Sequence, residues 1–263
     1  MSEENSLELP LILLRPGHRI INLGMKLKKI SDALSVVLKI IASMNLKVLS
    51  IITGNVTDES QPSTVSIFLD GTEVKDEMLE SLKEFLKNDP FVMYVEVNET
   101  GIEGFGAEMF HQRLILLGQR AMVLTHHAIV GLIRGLYERF GEEAFALLFM
   151  QGIGVGKEAI KRYRELFGKK ELILRAHEIL LSVMGYTKRA KFTMISEEKF
   201  TLLLDGLIEC ETLKGLKMRK TCHWYRGIIT GFFSELMQKE YKAEEVSCIN
   251  NGDKECILLL QPK

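Results

Sequence analysis

No stretch of the chain reaches the roughly 18 uninterrupted apolar residues that would span a bilayer. The amino terminus, Met1-Ser2-Glu3-Glu4, lacks the basic segment that opens a secretory signal. Charge of one sign is missing too: 34 Lys and Arg stand against 35 Asp and Glu, a net charge of -1. That argues against a nucleic-acid partner held by bulk charge, and no helix-turn-helix segment or basic face supports DNA binding. The local basic runs, Lys26 to Lys29 and Lys214 to Lys220, read as solvated faces. No flavin, nicotinamide or iron–sulfur signature supplies electrons for redox chemistry. A cytoplasmic protein is expected, with its thiols reduced.

What is present is ordinary globular composition: 263 residues, 46% hydrophobic and 26% charged, enough for one large domain or two ordinary ones. The first hundred residues alternate between two periods. His18 to Gly24, Leu46 to Thr53, Thr64 to Leu69 and Phe91 to Val97 read as strands. Residues 29–44 place Ile30, Leu34, Val37, Leu38, Ile41 and Met44 on one helical stripe. Residues 76–87 do the same with Met78, Leu79, Leu82, Phe85 and Leu86, and Asn88-Asp89-Pro90 stops that helix. Gly54-Asn55 and Asp70-Gly71 are turn signals, with a polar loop over Thr57 to Ser63.

The resulting order, βαββαβ, predicts a ferredoxin-like four-stranded antiparallel sheet with two helices on one face. In topology and pattern, residues 1–98 resemble the ACT regulatory domain, which implies amino-acid binding or pairing into dimers. The family's glycine between first strand and helix has no counterpart in Lys29-Ile30-Ser31-Asp32-Ala33, so a dimerisation or packing module is the expectation. Residues 99–112, with glycines at 101, 104 and 106 and no apolar period, read as a linker.

Beyond it, Leu114 to Leu117 and Ala121 to Leu124 suggest a short hairpin. A helix follows whose stripe is Ile129, Leu132, Ile133, Leu136, Tyr137 and Phe140, ended by Gly141. Further helices are expected from Glu142 towards Tyr163, over Lys170 to Met184 and over Thr221 to Gln238. Ala190 to Ile195 and Phe200 to Glu209 look like strands. A final hairpin joins Glu245–Ile249 to Glu255–Leu260 around Asn250-Asn251-Gly252-Asp253.

All four cysteines, 210, 222, 248 and 256, fall in the last quarter of the chain. In a reducing compartment such clustering favours a metal over disulfides. With a three-residue loop Cys248 and Cys256 stand opposite each other, close enough for two thiolates to share a tetrahedral ion. Glu245 lies three residues before Cys248, so in a flat strand the two face opposite ways and a kink is needed to use both. Cys222 begins a helix, where free amides favour a thiolate. A carboxylate or an imidazole, with His223 the competing candidate, would complete a closed shell that clasps rather than catalyses. Cys210 reads as a buried core thiol.

Cys222-His223, Arg226-Gly227, Gly231, Glu245-x-x-Cys248 and Gly252-Asp253-x-x-Cys256 closely resemble the 4-vinyl reductase domain. That family includes predicted hydrocarbon-binding proteins of archaea and the sensor domains of aromatic-responsive bacterial regulators. The resemblance spans about residues 110–263 and implies an α+β ligand-binding domain over 113–263. It also implies a zinc ion on Cys222, Glu245, Cys248 and Cys256, the positions at which the sensor members hold theirs with three cysteines and a glutamate. A hydrophobic or aromatic small-molecule ligand, a regulatory role and a homodimer follow from it as expectations. The alternatives are an enzyme or accessory protein of tetrapyrrole or related metabolism, or an assembly scaffold. No catalytic residue is assigned.

Phe145, Phe149, Met150, Met184 and Phe192 are the candidate ligand-cavity residues, although such spacing also suits plain core. Gly227 and Gly231, four apart, suit close helix packing. Gly152 to Lys157 mimics a phosphate loop, but Gln151 stands where its first glycine belongs and Glu158 replaces the magnesium-binding hydroxyl. His126, His127 and His177 show no catalytic spacing, and solvent-facing or capping roles are expected for them.

Overall fold

The computed structural model describes residues 8–54, 61–215 and 221–263. Met1 to Glu4 of the amino terminus, Asn55 of the expected turn, residues 57–60 of the polar loop and residues 216–220 of the second basic run lie outside these. The architecture is mixed α+β, in two compact units, Met1–Met122 and Val123–Lys263. Among the described residues no helix is long and apolar enough to cross a membrane.

In the first unit the elements run β1 (Ile12–Leu14), β2 (Ile20–Leu27), α1 (Ile30–Ser43), β3 (Lys47–Thr53), β4 (Ser63–Asp70), α2 (Asp76–Lys87) and β5 (Val92–Asn98). The sheet order is β3-β4-β2-β5, every pair antiparallel. Side chains alternate across a strand, so Ile21, Leu23, Met25 and Leu27 of β2 share one face with Val65, Ile67 and Leu69 of β4. They pack with Ala33, Val37 and Ile41 of α1 and Leu79, Leu82 and Leu86 of α2. Each such buried aliphatic side chain contributes about 1.5–3 kcal/mol. The other face is small and polar: Asn22 donates to Ser66 Oγ at 2.6 Å, and both are buried.

Residues 99–112 are not a bare linker. Phe105–Ala107 forms β6, paired antiparallel with β1 through Ile12↔Ala107 and Leu14↔Phe105. The glycines that suggest a flexible joint serve close approach instead. A Cβ on Gly106 would lie 2.4 Å from the Ile20 side chain. Phe110 then lies flat on the polar face of the sheet, where a Cβ on Gly24 would lie 2.4 Å from its ring. The short hairpin beyond is tighter than the spacing suggests. Ile115–Leu116 (β7) pairs with Gln119–Arg120 (β8) across Leu117-Gly118, both at positive φ, as a two-residue turn demands.

The second unit has helices α3 (His126–Phe140), α4 (Glu143–Phe167) and α5 (Lys170–Val183). Strands β9 (Arg189–Ser196) and β10 (Lys199–Asp205) follow, then the short α6 (Ile208–Thr212) and α7 (His223–Met237). Strands β11 (Tyr241–Ser247) and β12 (Cys256–Pro262) close it. The sheet order is β11-β12-β10-β9, again antiparallel. One apolar run divides: the strand expected from Phe200 to Glu209 stops at Gly206, which has φ 67, and its remainder becomes α6.

Helix α7 is buried on nearly every side, from His223 and Tyr225 to Phe232 and Phe233, the pattern of a core helix. On one side it meets the sheet, where Thr230 Oγ1 accepts the Ala243 amide at 3.2 Å. On the other it crosses α4 backbone to backbone. A Cβ on Gly152 would stand 2.2 Å from the Trp224 carbonyl oxygen, and one on Gly156 would stand 1.9 Å from that of Ile228. Gly227 and Gly231 meet the carbonyls of Phe149 and Ile153 at 2.1 and 2.2 Å in the same sense. The phosphate-loop mimic is half of this crossing and lies wholly inside helix α4.

Candidate metal centre and a buried histidine

The terminal hairpin positions two of the thiols. Its ladder closes at Ser247↔Ile257, after a bulge between Glu245 and Ser247. The bulge is the kink that Glu245 and Cys248 need to address the same neighbour, the start of α7. Past the ladder, Cys248 opens a turn of 3₁₀ helix over Ile249–Asn251. That turn is pinned by Asp253 Oδ2, which accepts the Cys248 amide at 2.8 Å. Asn250 Nδ2 donates to the Cys210 carbonyl at 2.8 Å and ties the turn to α6.

Four buried sulfurs converge there: Cys210, Cys222, Cys248 and Cys256, all within 4.8 Å of one another. The separations are 3.2 Å for Cys210–Cys222, 3.5 Å for Cys210–Cys248, 3.7 Å for Cys248–Cys256 and 3.9 Å for Cys222–Cys248. Zinc–sulfur bonds of about 2.3 Å in a tetrahedron require sulfurs roughly 3.8 Å apart. The four thiols therefore fit a tetrahedral thiophilic ion without rearrangement. Contacts with Cys210, Cys222, Cys256 and the Thr221 hydroxyl hold the Cys248 thiol well below its usual range. Contacts with the other three sulfurs, together with burial, push Cys222 up. One thiolate among thiols is a charge that a cation would neutralise.

The set differs from the sequence expectation at one position. Cys210, which reads in sequence as an ordinary core thiol, stands with the other three. Glu245 does not: its Oε2 accepts the amides of Thr221 at 3.2 Å and Cys222 at 3.0 Å. Glu209 accepts those of Trp224 and Tyr225 at 2.7 and 2.8 Å. Two carboxylates thus satisfy four amides at the start of α7, the end that favours negative charge. Burial pushes the Glu209 carboxyl up to about 8, against the lowering effect of those two amides. His223 turns away from the sulfurs, stacking on Phe145 at 4.1 Å with its Nδ1 3.1 Å from Arg226.

The five candidate cavity residues are distributed rather than gathered. Phe145 and Phe149 lie beside His223 and Arg226, and the Arg226 guanidinium is 5.3 Å from the Phe149 ring. Met150 and Met184 are exposed. Only Phe192 belongs to the buried aromatic cluster, and that cluster is centred on a residue expected at the surface. His177 is 4% exposed, with Phe232, Tyr163 and Phe192 rings at 4.4, 5.7 and 6.1 Å. Its Nε2 lies 3.2 Å from the Tyr225 hydroxyl, and its Nδ1 has no hydrogen-bond partner. Burial lowers its pKa to about 3. His177 shares a stripe with Ile173 and Leu181, four residues to either side, which is the signal that could have placed it inside.

Comparison with known proteins bears on this second unit. Residues 206–262 match the family model of the 4-vinyl reductase domain. The matched segment contains α6, α7, the terminal hairpin and all four cysteines. No curated protein matches the chain. Among solved structures, the chain is similar to the phenol-responsive sensory domain of the transcription activator PoxR, solved with phenol. The TM-score is 0.51 at 22% identity, over 55% of this chain and 78% of that one, a likeness of fold. A vinyl-4-reductase family protein from Methanocaldococcus jannaschii matches with TM-score 0.35 and 15% identity, over 56% and 99%. A trafficking protein particle complex subunit 3 from Naegleria fowleri, covalently bound to palmitic acid, matches with TM-score 0.41 and 13% identity, over 52% and 92%.

Proposed function

We propose that residues 113–263 form a small-molecule sensing domain of the 4-vinyl reductase type. In this reading its ligand is a hydrophobic or aromatic compound, and a structural zinc ion clasps its terminal hairpin to α6 and α7. The ion is held by Cys210, Cys222, Cys248 and Cys256, with Glu245 behind it as the cap of α7. Residues 1–98 serve as an ACT-like regulatory unit in a homodimer, and ligand binding shifts the population of packing states that this unit responds to.

The observation that carries the reading is His177. A buried polar atom without a partner costs about 1–3 kcal/mol, and here one lies within a wall of aromatic rings. A hydroxylated aromatic molecule would supply the missing hydrogen bond and stack on the same rings. The fold likeness to a phenol-responsive domain supports the same ligand class. The closed shell of thiols leaves no open position for substrate, which favours a clasp over a catalytic metal.

Calorimetric titration with phenol, alkylphenols and medium-chain fatty acids tests this. Binding of at least one class is expected to raise the unfolding midpoint, and His177→Phe is expected to weaken the phenols at least about tenfold. Absence of any heat or midpoint shift up to millimolar ligand would remove the sensing reading.

A further inference from the structure

The first unit contains a constellation that the sensing function does not use. Thr64 lies on β4, and its Oγ1 is 2.8 Å from His111 Nε2. On the other side of the ring, His111 Nδ1 is 3.0 Å from Glu108 Oε2. The Glu108 side chain is 4% exposed. Its carboxylate is fixed by the amides of Phe110 and His111, accepted at 3.0 Å each through Oε1 and Oε2. A carboxylate at Nδ1 selects the tautomer that carries its proton there, which leaves the Nε2 lone pair for the hydroxyl.

Three independent features surround this relay. Phe110 is seated on Gly24, so the segment from 108 to 111 is held against the sheet. Gly54 stands beside the hydroxyl, where a Cβ would lie 2.1 Å from Thr64 Oγ1. A side chain at 54 would displace the group that reaches His111. Finally, Thr64, Glu108 and His111 all line one open cavity of about 850 Å³, together with Leu11, Ile52, Ile115 and Arg113. Among the described residues Arg113 makes no ion pair, so its charge is available to the cavity.

We propose that Thr64, His111 and Glu108 form an acyl-accepting hydroxyl relay for esters that have an apolar acyl chain. The arrangement meets the geometric requirements of such a site: nucleophile on base, base on orienting carboxylate, and a cavity in front of them. Thr64 Oγ1 attacks the ester carbonyl carbon while its proton passes to His111 Nε2. The bond from carbon to the leaving oxygen breaks, and the imidazolium returns the proton so that an alcohol departs. Water then attacks the acyl-Thr64 ester, giving its proton to Nε2. The carboxylic acid leaves as Thr64 regains its hydrogen. Glu108 holds the ring throughout, and Arg113 is the cavity's fixed positive charge for the developing oxyanion. No oxidant or reductant enters. The apolar chain would lie along Leu11, Ile52 and Ile115.

The test is acylation of the full chain by p-nitrophenyl butyrate, followed as a burst of p-nitrophenolate and by peptide mapping of the quenched protein. One butyryl group on Thr64 is expected. His111→Phe should slow the burst about 100-fold, the size of a general-base contribution, and Thr64→Val should abolish it. Thr64→Ser keeps the hydroxyl and should retain the burst, with unchanged circular dichroism showing that the unit is folded. Adducts confined to lysines, or an equal burst in Thr64→Val, would overturn the proposal.

Discussion

Glu245 Oε2 accepts the amide proton of Cys222 at 3.0 Å, while the Cys222 sulfur lies 3.9 Å from that of Cys248. The carboxylate and the thiol therefore share one helix terminus but face different tasks. Glu245 satisfies backbone, and Cys222 joins the sulfur cluster. The bulge at Val246 makes this division possible, because it turns Glu245 and Cys248 toward the same helix end.

The first prediction separates these roles. Glu245→Gln retains an acceptor for the two amides and should keep one equivalent of zinc by elemental analysis, at a stability cost of about 1 kcal/mol, comparable to a weakened helix cap. Cys210→Ser should lower the bound zinc to well under one equivalent. The opposite pattern would restore Glu245 as the fourth ligand.

Metal removal should act on the second unit as an unfolding stress. Because the metal bridges α6, the start of α7 and both ends of the hairpin, its binding free energy is also folding free energy. A strong chelator should lower the unfolding midpoint of the native protein, and added zinc should restore it. The Cys210→Ser and Cys248→Ser variants should show no further chelator response.

The glycine crossing gives an internally controlled prediction. A Cβ on Gly156 would stand 1.9 Å from the Ile228 carbonyl, whereas Gly154, on the same helix, has nothing within 4 Å. Gly156→Ala should force α4 and α7 apart and cost about 1–3 kcal/mol. Gly154→Ala should stabilise by roughly 0.5–1 kcal/mol through helix propensity alone. Urea unfolding of the two variants reads the contrast directly.

How far the sequence foretells this structure depends on whether a feature is local. Helix α2 is legible over its whole length, because an amphipathic stripe runs between a polar start and Asn88-Asp89-Pro90. The terminal hairpin and the need for a kink near Glu245 are also local. Cys210 escapes the sequence pattern because Phe200 to Glu209 reads as one apolar run, and periodicity cannot locate the break that Gly206 makes. The β1–β6 pair joins residues more than 90 positions apart, so the glycines between 99 and 112 carry no local sign of their partner. Thr64, Glu108 and His111 are likewise assembled only by the fold. For His177 the stripe is there to be read, but a titratable ring on it argues for exposure until its aromatic surroundings are known.

That ring yields the last prediction, which concerns acid. Burial lowers the His177 pKa from 6.5 to about 3, so the folded protein keeps the ring neutral while the unfolded chain protonates near pH 6.5. The contribution is fully present above that value and is lost as pH falls toward 3, where the folded ring also takes a proton. Each pH unit inside this window costs about 1.4 kcal/mol. Between pH 7 and pH 5 the native protein should therefore lose about 2 kcal/mol more than His177→Phe does. Thiol protonation and metal loss affect both proteins alike, so the difference between their urea midpoints isolates the histidine. Parallel acid curves for the two would place His177 in contact with water or a proton acceptor, contrary to its seat between Phe232, Tyr163 and Phe192.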